Sequence, residues 1–241
     1  MSLFYLRSLD QTVTRSSFVG RKWEAELDTI IKLSPSFSTR NGTSAVWRGS
    51  GPHFETGDQL WNHPRVMLAR YSVDGTLPCV DARLTGRVSA AAAQDALNGS
   101  GLFNASTWER MSGDRYNFRD FKFVMNVGNN GFADRTKGLL ASGNVMIYID
   151  NGFVEWYYPA LVHGVHYYDL PLNDIQSVCT MVEALQKSPV AAAIVSSNAQ
   201  AFVRETLRVK VRNMYVAEIL IQWGRLFNAG SKSPIQSNAP H

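Results

Sequence analysis

The chain has 241 residues, 45% of them hydrophobic and 18% charged, which is enough apolar material for a buried core and excludes a disordered or fibrous protein. Its formal charge of +4 suits an anionic ligand, yet the Lys and Arg residues are scattered and form no run of the kind that holds nucleic acid. No stretch reaches the roughly 18 to 20 apolar residues of a membrane span, and Arg7 and Asp10 break the apolar run of a secretory leader, so neither a transmembrane nor a targeting segment is expected.

Residues 22–32 set Trp23, Leu27, Ile30 and Ile31 at helical spacing, and Ser34-Pro35-Ser36 stops that helix. After a turn at Asn41-Gly42, residues 44–48 read as a short strand that delivers Arg48 into the loop Gly49-Ser50-Gly51-Pro52. The glycines of that loop let backbone amides approach a ligand. Residues 64–70 start a helix, 78–82 form a short strand, and 90–97 form an alanine-rich helix capped by Ser89 and ended by Asn98-Gly99. Residues 99–119 are polar and irregular, a surface excursion.

From residue 121 the pattern sharpens. Residues 122–127 are an apolar strand, 128–131 a glycine turn, 132–142 a helix, and 144–149 a second buried strand. Strand, turn, helix and strand within about 30 residues make a right-handed βαβ unit, so the two strands are expected to be parallel. Residues 153–158 then read as helix, 159–164 as turn and 166–170 as strand. Helices follow over 173–186, 189–205 and 210–227, with Pro189 at a first helical position. The Ser/Pro/Asn-rich tail after Asn228 reads as disordered.

In an open α/β sheet, ligands bind beyond the carboxyl ends of the strands. The turn Gly128-Asn129-Asn130-Gly131 falls there, with Arg135 and Lys137 just inside the next helix and Arg48 at the end of another strand. A guanidinium takes phosphate oxygens two at a time, so these residues form a candidate anion site. The turn is not Gly-x-Gly-x-x-Gly and lacks the Gly-Lys-Ser/Thr of a P-loop, which points away from dinucleotides and nucleoside triphosphatases. Cys79 and Cys179 lie a hundred residues apart without His or Cys at metal spacing, which argues against zinc and against a disulfide framework. His53 and His63, near Glu55 and Asp58, match no metal motif and are read as surface residues, and His166 as a hydrogen-bonded core residue. Sequons begin at Asn41, Asn98 and Asn104.

The run Phe123-Val124-Met125-Asn126-Val127-Gly128-Asn129-Asn130-Gly131-Phe132-Ala133-Asp134-Arg135-Thr136-Lys137-Gly138-Leu139-Leu140, closed by Gly143, resembles a signature of the protein O-glucosyltransferase and capsule-associated (CAP10) family, glycosyltransferase family 90. Three further landmarks stand in the family's order: Trp47-Arg48-Gly49-Ser50, Val80-Asp81-Ala82, and Glu155-Trp156-Tyr157-Tyr158-Pro159 followed by Gly164-Val165-His166-Tyr167. The resemblance covers residues 23–227 and is specific over 47–168.

It implies an α/β fold, a Rossmann-like parallel sheet flanked by helices, that is the C-terminal donor domain of a GT-B glycosyltransferase with its N-terminal domain largely absent. Residues 1–40 would be a remnant of that domain, 41–228 the nucleotide-sugar domain and 229–241 the tail. The implied reaction moves glucose or xylose from a UDP-sugar to a hydroxyl of a protein or glycan, without a metal, in the endoplasmic reticulum or Golgi lumen. Carried over by position, Arg48 and Arg135 would contact the diphosphate, Glu155 the ribose, and Ser50, Asn130, Gly131, Phe132, Ala133 and Asp134 the rest of the donor. Ala133 replaces the family's usual Ser and Asp134 its usual apolar residue, removing a hydroxyl and adding a negative charge. The family's catalytic base is an Asp upstream of the Arg-Gly-Ser element. Neither Asp10 nor Asp28 stands in a matching context, so no base is assigned. The competing expectation is an inactive remnant that binds UDP or a protein partner.

Overall fold

In the computed structural model, which describes residues 16–52, 57–85, 97–98, 100–102, 117–128 and 135–230, five strands form one sheet. They are β1 (Asn41–Gly49), β2 (Val80–Leu84), β3 (Phe121–Val127), β4 (Val145–Ile149) and β5 (Tyr168–Asp169). All the pairings are parallel, in the order β2-β1-β3-β4-β5. The register sets Ala45 against Phe123, and Phe123 against Val145. A parallel sheet covered on both faces needs strands that are apolar throughout rather than alternating. The strand β4, Val-Met-Ile-Tyr-Ile, is buried along its whole length, as are the last five residues of β3.

The order carries a functional consequence. From β1 the chain goes outward to β2, then crosses back to β3 on the other side of β1. The exits of β1 and β3 are therefore neighbours whose connections depart in opposite directions, the switch point at which open α/β sheets hold ligands.

The α-helices among the described residues are α1 (Ser16–Leu33), α2 (Gly57–Trp61), α3 (Pro64–Val73), α4 (Thr136–Ala141), α5 (Val178–Lys187), α6 (Pro189–Thr206) and α7 (Val209–Gly230). Pro64 opens α3 where its missing N–H costs nothing, and His63 caps the helix, its Nδ1 accepting from the Arg65 N–H at 3.3 Å. His63 is thus a half-buried cap rather than a plain surface residue. At the other end of α3, the Ser72 hydroxyl donates to the Val80 carbonyl (2.8 Å) and accepts from the Ala82 N–H (3.0 Å), fastening the helix to β2. Gly143 leaves α4 at φ +70°, a conformation that favours glycine, and its carbonyl accepts from the Ser196 hydroxyl of α6.

Three segments differ from expectation. Residues 153–158 are not helical: the chain turns, and only Tyr158–Ala160 makes a 3-10 turn, because Pro159 cannot sit inside a helix and the aromatics pack inward instead. Tyr158 meets Tyr148 edge to face at 5.9 Å. The expected helix over 173–186 is divided into a 3-10 stretch, Leu172–Ser177, and α5, with Asp174 outside helical geometry at φ −121°. Third, Cys79 and Cys179 are disulfide-bonded with their Cα atoms 5.4 Å apart, where their separation in sequence had argued against a bridge. Parallel crossovers return the chain to the same end of the sheet, so the entrance of β2 meets the start of α5. The expected helix over 90–97 and the excursion over 99–119 fall almost entirely outside the described residues.

Residues 25–204 make up one compact unit that contains the whole sheet. The described residues of the second unit are 16–24 and 205–230. Within it, the Trp23 indole donates to the Leu207 carbonyl at 2.8 Å, and Glu24 accepts from the Val209 N–H at 3.2 Å, capping α7.

Candidate functional site

The switch point is lined by the exit of β1 (Gly49, Ser50), the exit of β3 (Val127, Gly128) and the start of α4. Arg135 stands at the cap position of α4 and turns its side chain back over the sheet, where Nη1 donates to the Arg48 carbonyl. Gly49 leaves room for it, since a Cβ there would lie 3.0 Å from an Arg135 nitrogen and 2.7 Å from the Trp47 ring. Burial pulls the Arg135 guanidinium down to about 10.

A second guanidinium enters from α3. Arg65 is 6% exposed and bonds the Val127, Gly128 and Ser50 carbonyls and the Ser50 hydroxyl. Its pKa falls to about 9, through burial first and the nearby Arg135 charge second. Both guanidinium carbons lie 5.8 Å from the centre of the buried Trp47 ring, whose π face attracts cations. Among the described residues, neither Arg65 nor Arg135 has a carboxylate at ion-pair distance. Two cations held in a low-dielectric recess, with no counter-charge at ion-pair distance among the described residues, make this a candidate anion site.

Arg48 is placed differently. Its main chain reaches the crevice, but its guanidinium turns to β2 and pairs with Asp81 at 2.6 Å. Asp81 is therefore a strand residue whose side chain bridges β2 to β1. Glu155, on the loop after β4, is 7% exposed and takes Lys137 Nζ at 3.2 Å on one oxygen and the Tyr157 hydroxyl at 3.0 Å on the other. Burial, and then the Glu155 charge, raises Tyr157 well above the usual tyrosine range, so it remains a donor. Between these groups runs a polar ladder: Asn126 of β3 donates to the Thr136 hydroxyl at 2.8 Å, which shares a hydrogen bond with Tyr158 at 3.2 Å.

Ser50 stands on the β1 lip, held by Arg65. Asn130, Gly131, Phe132, Ala133 and Asp134 lie outside the described residues, as does His53. His166 is only partly buried, its Nδ1 accepting from the Val162 N–H at 3.0 Å within a turn. Among the described residues no three His, Cys, Asp or Glu side chains converge, and no single helix is long and apolar enough to cross a membrane.

Gly128 is the tightest point of the β3 lip. A Cβ built there would stand 2.0 Å from the Asn151 amide nitrogen. Gly128→Ala is expected to push Asn151 aside and lower stability by about 1–3 kcal/mol, read as a shifted urea midpoint at unchanged slope.

Motif reading found Arg135 and missed Arg65. The available signal was a mismatch: a cation in the first turn of a helix opposes the macrodipole, so an Arg at that position in α3 needs a reason from elsewhere in the fold.

A wholly parallel α/β sheet with guanidiniums gathered beyond its strand ends defines a Rossmann-like protein. More specifically, the chain belongs to glycosyl transferase family 90, whose family model matches residues 20–239. Similar solved structures include Anabaena Alr3699/HepE in complex with UDP-glucose, 17% identical with a TM-score of 0.47, covering 80% of this chain and 52% of that one. Another is the C-terminal domain of a glycosyl transferase group 1 family protein, LpcC, from Francisella tularensis, 14% identical with a TM-score of 0.44, covering 71% of this chain and 90% of that one. The chain thus spans about half the length of the Anabaena protein. None of the curated proteins compared with the chain matches it.

Proposed function

We propose that this chain is the donor-binding part of a GT-B type glycosyltransferase that takes a UDP-sugar and passes the sugar to a hydroxyl of a protein or glycan. The observation that carries the reading is the pair of buried guanidiniums at the β1/β3 switch point, in a chain of a sugar-transferring family. In the transfer, an acceptor oxygen bonds to the anomeric carbon, the bond from that carbon to the diphosphate breaks, and UDP departs with the electron pair while the hydroxyl proton passes to a base. Arg135 stabilises the charge that grows on the diphosphate. The Arg48 guanidinium joins it by exchanging Asp81 for phosphate. The Glu155 carboxylate, an acceptor of hydrogen bonds, takes a ribose hydroxyl. Family resemblance supports glucose or xylose as the sugar. The Cys79–Cys179 bridge and the exposed sequon residue Asn41 support an oxidising secretory lumen.

Thermal melting with UDP, GDP and NAD tests this directly. At a hundredfold excess over Kd, UDP is expected to add about 2.7 kcal/mol of stability, a rise on the order of 5–10 °C for a chain of this size. GDP and NAD should shift melting less. Because the chain's own cations neutralise the diphosphate, EDTA should leave the UDP shift unchanged. Melting indifferent to UDP would overturn the assignment, and a shift lost with EDTA would overturn its metal independence.

A further inference from the structure

At the carboxyl edge of a parallel sheet the strands present carbonyl oxygens that have run out of ladder partners, and such oxygens repel an anion. Here one side chain from outside both strands occupies that edge. Arg65 donates from Nε to the Val127 (3.3 Å) and Gly128 (3.1 Å) carbonyls, from Nη2 to Val127 (3.0 Å), and from Nη1 to the carbonyl and hydroxyl of Ser50 (3.0 and 3.2 Å). All three nitrogens are engaged, and the acceptors lie on the exits of the two strands that flank the switch point.

None of these acceptors is a carboxylate, so the bonds satisfy geometry and leave the charge uncompensated. Three effects oppose a cation at this position: burial, the like charge of Arg135, and the positive end of the α3 dipole. A neutral donor would tie the same carbonyls without those penalties.

We propose that Arg65 is a positioning residue of the nucleotide-sugar crevice: it locks the β1 and β3 exits in one geometry, turns their carbonyls away from the ligand, and adds a charge that the diphosphate completes. The inference rests on reading the crevice as a UDP-sugar site and extends it to a residue outside the motifs that led there.

The test compares UDP binding, by calorimetry, with uridine binding, by saturation-transfer NMR, for the wild-type chain, Arg65→Lys and Arg65→Met. Lys keeps the charge but cannot fork between the two exits, and Met keeps the stem without the charge. UDP affinity is expected to fall on the order of tenfold to a hundredfold for Arg65→Lys and further for Arg65→Met. Uridine, which has no phosphate, should stay within about twofold. Equal losses for both ligands, or no loss for UDP, in variants that melt cooperatively would overturn the proposal, because a merely structural role gives one or the other. If both variants fail to fold, Arg65→Gln, a neutral donor that suits the same carbonyls, decides: a several-fold loss for UDP with uridine unchanged supports the proposal, and equal losses or unchanged UDP affinity refute it. A wild-type chain that does not bind UDP is a separate result, which removes the crevice assignment and this inference together.

Discussion

Arg135→Ala is expected to abolish the stabilisation by UDP while leaving the unliganded protein folded. The guanidinium is held over the sheet by a bond to the Arg48 carbonyl and by the Trp47 ring, so its removal vacates the centre of the proposed anion site. Truncating one partner of a buried, hydrogen-bonded charge pair costs about 2–5 kcal/mol, a loss in UDP affinity of roughly thirtyfold to several thousandfold. In the unliganded state the balance runs the other way. A base whose pKa is lowered by burial, here to about 10, disfavours the folded state at any pH where it is charged, and Arg135 also repels Arg65. Removing it relieves both penalties and offsets the lost bond, so melting without ligand should move little. Calorimetric titration of UDP together with melting of the free variant reads both halves. A variant that binds UDP as tightly as wild type would show that the diphosphate lies elsewhere.

Opening the disulfide is expected to have the largest effect on stability. The bridge joins residues 100 apart, and restricting so long a loop in the unfolded chain is worth about 4.7 kcal/mol on the loop-entropy account. Domains are stable by about 5–15 kcal/mol in total, so the bond is expected to supply roughly a third of the margin at the upper end of that range and nearly all of it at the lower. Urea unfolding of the oxidised protein, the reduced protein and Cys79→Ser/Cys179→Ser measures it. Both altered forms should unfold at lower urea with a steeper slope, because an uncrosslinked chain exposes more surface. Identical midpoints would mean that the denatured state is already confined by other contacts.

The centre of the fold was legible because its signal is local. Strands buried on both faces must be largely apolar, and residues 122–127 and 144–149 show it without reference to any partner. Arg135 was legible for a related reason, standing at a fixed offset from β3 in a contiguous motif. Residues 153–158 misled because Phe153, Trp156 and Tyr157 have helical spacing, whereas the packing of the following Tyr158 on Tyr148 decides the backbone there. Arg65 left only the helix-dipole mismatch as a signal, because its partners are mostly backbone oxygens 15, 62 and 63 residues away, and a carbonyl has no letter in a sequence. Asp81 meets Arg48 because β1 and β2 lie side by side, and Cys79 meets Cys179 because the crossovers return to one end of the sheet. These pairings are products of topology.

The bond between Cys79 and Cys179 also divides the molecule into a cyclic segment and the linear arms before and after it. Strands β2 to β5, α4, Arg135 and Glu155 belong to the ring, whereas β1, Trp47 and Arg65 precede it. Strand β1 nevertheless lies between two ring strands, and the crevice has one lip from each part. A proteolytic cut anywhere from residue 80 to 178 would therefore open the ring without releasing a fragment, and the nicked molecule would differ in mass from the intact one by a single water until the disulfide is reduced.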